Sequence, residues 1–174
     1  MLHPLSDWYW FTENNRLMLS LGDEWQCTTA YGQQQIIDMP KSHQLFNLSD
    51  TECYLSLADH LLASGGDFTD AQLTHILINA TAATMFHKPV TPKSWFFDEI
   101  ESYGFNNRLA RVINKFDTGI VVVLTDERYL ASCMLISSQL QLNENKYLKQ
   151  FDLIKLAKTR LEPLLLETSA QLTA

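Results

Sequence analysis

The chain has 174 residues, a formal net charge of −7, and 46% hydrophobic against 19% charged residues. That balance is too apolar for disorder and suits one medium domain or two small ones sharing an interface. No apolar run reaches the roughly 18 residues that a membrane span needs, and no basic stretch introduces the first apolar block as a secretory signal would.

Charge is unevenly placed. Residues 1–87 hold two basic residues, Arg16 and Lys41, against ten acidic ones, whereas residues 88–174 hold eleven basic and ten acidic. An acidic first half argues against nucleic acid or an anionic lipid surface as partner, because both need a basic face. Cys27, Cys53 and Cys133 are odd in number and far apart, with no C-x-x-C; reduced thiols in a cytosolic compartment are expected.

In chain order, Asp7-Trp8-Tyr9-Trp10-Phe11 is dense in strand-favouring aromatics, and Glu13-Asn14-Asn15 signals a turn. Arg16–Leu21 places Leu17, Leu19 and Leu21 on one face by period-2 alternation, and Trp25–Thr29 follows Gly22-Asp23. The pattern predicts three antiparallel strands in a meander. Residues 31–47 are irregular, with a short strand at Ile36-Ile37. Ser49-Asp50-Thr51-Glu52 fits a capping box, with Leu48 and Cys53 as its staple, and Gly65-Gly66 ends that helix. Thr69-Asp70-Ala71-Gln72 is a second capping box, with Phe68 and Leu73 as staple, opening a helix that runs to about His87.

The segment His87-Lys88-Pro89-Val90-Thr91-Pro92-Lys93-Ser94-Trp95 stops the helix. Its prolines fix φ and hold the preceding residues out of the α region. The second half then predicts short strands at Trp95–Phe97, Arg108–Asn114, Ile120–Leu124, Tyr129–Ile136, Gln139–Leu142 and Lys146–Leu148, and a last helix over about Phe151–Leu161. The expected fold class is α+β: an N-terminal α/β domain of antiparallel meander plus two helices, then a small, twisted, β-barrel-like domain with a C-terminal helix. The domain boundary falls in the proline segment, giving residues 1–88 and 89–174, with the last helix free to fold back on the first domain.

Catalytic patterns are sparse. His3, His43, His60, His75 and His87 are scattered, with no pair at metal-ligand spacing. There is no G-x-S-x-G, P-loop or G-x-G-x-x-G. Cys53 reads as a buried thiol, and the paired acids Asp23-Glu24, Asp98-Glu99 and Asp126-Glu127 lie near turns where carboxylates are ordinarily solvated. The proline segment has two readings. Either Lys88 and Lys93 are solvated linker lysines, or they present positive charge to an acidic partner, with an apolar neighbour such as Leu19 or Trp95 supplying desolvated contact. A rival function class, a small-molecule-binding domain or enzyme, would use the mouth of the second-half barrel.

The early W-x-W-aromatic run, Arg16-Leu17-Met18-Leu19-Ser20-Leu21, Lys88-Pro89 with Pro92-Lys93-Ser94-Trp95, and Asp152-Leu153-Ile154-Lys155 with Arg160-Leu161-Glu162-Pro163 stand in one order and spacing. Together they resemble the ZapC family of Z-ring-associated bacterial cell-division proteins over nearly the whole chain. The resemblance implies a cytoplasmic, non-enzymatic protein at the mid-cell division ring. It implies binding to polymers of FtsZ, the tubulin-like GTPase, with promotion of their lateral association, stabilisation of the Z ring and lower GTP turnover. It implies no cofactor; the charge balance and the lack of a membrane-length apolar run argue for no nucleic acid and no membrane insertion, and the two-part architecture suits a monomer with two contact faces. Lys88, Lys93, Leu19 and Trp95 fall in or beside the matching segments and are the expected FtsZ contacts.

Overall fold

The computed structural model describes residues 1–23 and 25–164. The aromatic opening forms β1 (Tyr9–Glu13), which pairs antiparallel with β2 (Arg16–Ser20). The two-residue loop between them has Asn14 and Asn15 at φ 52° and 61°. Tight hairpins need this left-handed backbone, and asparagine tolerates it. β3 (Gln26–Gly32) lies outside β2, and a two-residue β4 (Gln44–Leu45) closes the other side, giving the order β3-β2-β1-β4. The expected strand at Ile36-Ile37 is a single bridge from Ile36 to His87.

Helix α1 spans Leu48–Ala63 and α2 spans Asp70–Phe86. The second capping box stands as expected, Thr69 with Gln72. The first lies two residues upstream: Asn47 is the N-cap and Asp50 the reciprocating residue. Asparagine caps as well as serine, and Asp50 also accepts a hydrogen bond from Trp10 Nε1 at 3.3 Å, which draws the helix start toward the sheet. Leu48 is thereby the first helical residue and is exposed, not part of a staple. Gly65, at φ 72°, terminates α1.

The second half corrects three expectations. Trp95–Phe97 is not a strand: Ser94–Phe96 form a 3-10 turn, with Phe97 N donating to Ser94 O at 3.0 Å. Phe151–Leu161 is not a helix. Phe151 sits at φ 70°, which no helix accommodates, and Leu153–Ala157 pair as a strand along residues 130–134. Ile154 and Leu156 point inward and Lys155 outward, so the same apolar residues satisfy a two-residue period as readily as a helical one. The sheet is also not a closed barrel. β5 (Leu109–Ile113), β6 (Thr118–Asp126), β7 (Leu130–Leu135), β10 (Leu153–Ala157) and β11 (Glu162–Pro163) take the order β10-β7-β6-β5-β11, with β10 and β11 at its two ends and not paired to each other. A separate hairpin, β8 (Gln139–Asn143) and β9 (Lys146–Lys149), packs across one face. With no closure there is no barrel mouth to serve as a pocket.

This sheet is buried on both faces. Leu109, Val122 and Met134 join the core built by α1, α2 and the first sheet. Their neighbours Ala110, Val112, Val121, Val123, Cys133 and Leu135 turn the other way and pack with Leu140 and Leu142 of the hairpin. A strand buried on both sides reads as a continuous apolar run, as Ile120-Val121-Val122-Val123-Leu124 does. Tyr31 of β3 bridges the halves: its hydroxyl donates to Phe151 O at 2.9 Å and lies 3.3 Å from Met134 Sδ. Burial raises its pKa strongly, so it stays a protonated donor. Tyr31→Phe should leave a buried carbonyl unpaired and lower unfolding stability by about 1–2 kcal/mol in a urea titration. An unchanged urea midpoint would show that the bond adds nothing.

Candidate partner-binding surface

The proline segment is tied down along its length. Lys88 N donates to Gln35 O at 2.7 Å, Lys93 N to Lys155 O at 2.8 Å, and Ala157 N to Ser94 Oγ at 2.7 Å. Pro92 bridges to Lys155 in parallel sense along the outer side of β10. A proline suits a sheet edge because it has no N–H to leave unpaired there. The segment is therefore a fixed wall between the first half and β10, and it ends in the 3-10 turn that carries Trp95, Phe96 and Phe97.

Two adjoining concavities open on either side of Phe96. One, of about 280 Å³, lies between the proline segment and the β8–β9 hairpin. Its apolar lining includes Phe97, Leu142, Leu148 and Ile154, and its two cations are Lys93 and Lys146; no carboxylate lines it. Lys146 Nζ stands 5.3 Å from the centre of the Phe96 ring, a cation–π distance. The other concavity, of about 500 Å³, is lined by Trp95, Phe96, Lys115 and Phe116 among others, and includes the acids Asp98 and Glu144. Trp95 is 71% exposed.

The basic side chains of the second half divide into two groups. Arg111, Lys155, Lys158 and Arg160 are paired with Glu162, Glu127, Asp126 and Glu99 at 2.6–3.3 Å. Among the described residues no carboxylate lies within ion-pair distance of the other seven, of which Lys93, Lys115 and Lys146 line the two concavities. Unneutralised ammonium groups at the rim of an apolar hollow attract an acidic segment that carries an apolar anchor. No group of three or more His, Cys, Asp or Glu side chains is placed to hold a metal ion among the described residues. Nor is any described helix long and apolar enough to cross a membrane.

Of the residues expected at a contact surface, Lys93 lines the smaller concavity and Trp95 the larger. Lys88 is exposed but lies at the start of the segment, with its ammonium donating to Gln34 O at 2.8 Å. Leu19 is 0% exposed, packed in the core of the first half. Its side chain touches no outside partner in this conformation, and its place is the inner face of β2. Sequence reasoning missed Phe96, Lys115, Leu142 and Lys146. The signal was there in Lys115-Phe116 and Lys146-Tyr147, two basic–aromatic pairs at strand ends, but nothing local joins them to each other or to the proline segment upstream.

Two family models match the chain, cell-division protein ZapC, N-terminal, over residues 1–88 and cell-division protein ZapC, C-terminal, over residues 89–167. The chain is 38% identical to the cell division protein ZapC of Pseudoalteromonas atlantica over 172 residues, covering 96% of each chain. It is 35% identical to that of Shewanella oneidensis over 94% of each chain, and 29% identical to that of Idiomarina loihiensis over 91% of this chain and 88% of that one. Two tethered halves, a family match to each, and identity along nearly the full length make this chain a member of the ZapC family of cell-division proteins.

Proposed function

We propose that the chain binds FtsZ polymers through the basic-rimmed concavity between the proline segment and the β8–β9 hairpin, and that it acts mechanically, catalysing nothing. The observation that carries this is the placement of Lys93 and Lys146, without an acidic partner among the described residues, over Phe97, Leu142 and Ile154. An apolar side chain of an acidic FtsZ segment enters the hollow, and its flanking carboxylates meet the two ammonium groups. Trp95 and Lys88 extend the contact on either side.

The fold makes this site stiff. The proline segment is hydrogen-bonded to β10 and the strands of the hairpin to each other, so little ordering entropy is lost on binding. Residues 1–88 and 89–174 act in this reading as two modules of one monomer, which holds neighbouring filaments against their mutual repulsion and promotes lateral association in the cytoplasm at mid-cell. GTP turnover falls because a ligand that favours assembled over free subunits shifts the population toward polymer and slows exchange. Pelleting of FtsZ with GTP, with and without this protein, tests the reading. More FtsZ in the pellet, with lower phosphate release, is the expected result. Unchanged pelleting with unchanged phosphate release would reject it.

A further inference from the structure

Among the described residues, the outer strand of the first sheet leaves a stretch of its edge open. That strand is β3. Leu21 N donates to Trp25 O at 2.8 Å, and the register sets Leu19 against Cys27 and Met18 against Thr28. In an antiparallel ladder, alternate residues turn their N–H and C=O toward the partner strand, so those of Gln26 and Thr28 face away from β2. Both residues are exposed. Among the described residues the one group near these edge atoms is the Cys27 thiol, 3.8 Å from Thr28 O. Two residues on, the edge is closed: Ala30 N donates to Asn79 Oδ1 of α2 at 2.8 Å. Neither lysine nor proline blunts the open stretch, although such residues usually guard an edge.

An apolar groove of about 640 Å³ runs beside this edge, with the first half of α2 as its far wall. Its lining includes Leu2, Leu21, Cys27 and Ile78. Trp25, 77% exposed, stands at the start of β3. The charge at that end is negative. Asp23 is exposed in the turn, and the Asp7 carboxylate lies 2.9 Å from where a Cβ on Gly22 would sit. The groove's own acid, Asp70, is met by the Met1 amine at 2.8 Å.

We propose that β3 and this groove take up an extended peptide segment of a partner protein, as an added strand. Its backbone pairs with Gln26 and Thr28, alternate apolar side chains enter the groove, and a lysine or arginine lies beside Asp7 and Asp23. Backbone pairing supplies affinity and the groove supplies selectivity. A second copy of this chain fits less well. Asn79 already closes the edge at Ala30, which leaves only a short open stretch for sheet-to-sheet pairing, and each copy carries a net charge of −7. The site takes a basic segment, so it is separate in place and in sign from the lysine-rimmed hollow.

The test uses the full chain and two blocked nonapeptides, one alternating valine with lysine and one alternating valine with glutamate. The lysine peptide should shift the amide resonances of Gln26 and Thr28 and slow their hydrogen exchange, and the glutamate peptide should do neither. Thr28→Pro removes one edge donor without touching the β2 ladder, and should weaken the lysine peptide by about tenfold or more; Thr28→Ala should not. Pelleting with FtsZ should be unchanged by Thr28→Pro, which separates the two sites. Equal binding of both peptides, unprotected amides at 26 and 28, or dimerisation through this edge in sedimentation would overturn the proposal. The exchange measurement on the unmodified chain decides the matter even if Thr28→Pro fails to fold.

Discussion

Exchanging Lys93 and Lys146 together for glutamate is expected to reduce affinity for FtsZ polymer by roughly 100-fold, since like charges set against each other at an interface cost several kcal/mol. The fold should survive. Among the described residues neither ammonium is in an ion pair, and the Lys93 backbone bond to Lys155 O does not depend on the side chain. The cation–π contact of Lys146 with Phe96 adds about 0.5–1 kcal/mol at an exposed site. Stability should therefore fall by no more than about 1 kcal/mol. The outcome is read by co-sedimentation at low and moderate salt, with a thermal melt as the folding control. Normal pelleting by a folded double variant would remove this concavity from the account. A companion change, Leu142→Ala, is not a clean test, because that residue also builds the core beneath the hairpin.

The second large effect concerns Asp50, 1% exposed in the first half. Its Oδ2 accepts from Asn47 N at 2.8 Å and from Trp10 Nε1 at 3.3 Å, joining the start of α1 to the centre of β1. Asp50→Ala should cost about 2–4 kcal/mol, because it strands two donors and opens a gap against a fully buried Trp10. Asp50→Asn should cost far less, since one amide oxygen can accept both bonds.

Burial raises the Asp50 pKa, with the bonds from Asn47 and Trp10 opposing the shift. The native state thus holds this proton more tightly than the unfolded chain, whose aspartate titrates near pH 3.9. The stabilisation from the bound proton is complete below that value and is lost as pH rises through the raised folded value. Over that window Asp50→Asn, which has no proton to lose, should improve relative to the unmodified chain. Urea unfolding of the two proteins at stepped pH checks this. A constant stability difference would mean that Asp50 titrates alike in both states.

Much of the fold is legible where the local signal has one meaning. Asn14-Asn15 marks a tight hairpin, Thr69–Gln72 caps a helix, Gly65 stops one, and the two prolines forbid another. These are consequences of backbone sterics and short-range hydrogen bonds, so neighbours in sequence suffice to state them. The same holds for β1 to β3 and for the runs that became β5 to β9. Asp50 and Asn47 were harder: two capping patterns overlap there, and the choice between them rests on Trp10, forty residues away.

What the chain determined by itself was its family, its punctuation and its uneven charge, because each resides in the order of residues. What only the tertiary structure decided was the conformation of Leu153–Ala157 and which side chains meet at the lysine-rimmed hollow. In that segment two periods fit equally well, and β7, lying alongside, selects the strand. Lys93 and Lys146 become neighbours only when β8–β9 folds across the sheet, and Leu19 leaves the surface only when the helices cover β2. Proximity and burial are properties of packing between distant segments, and no window along the chain contains them.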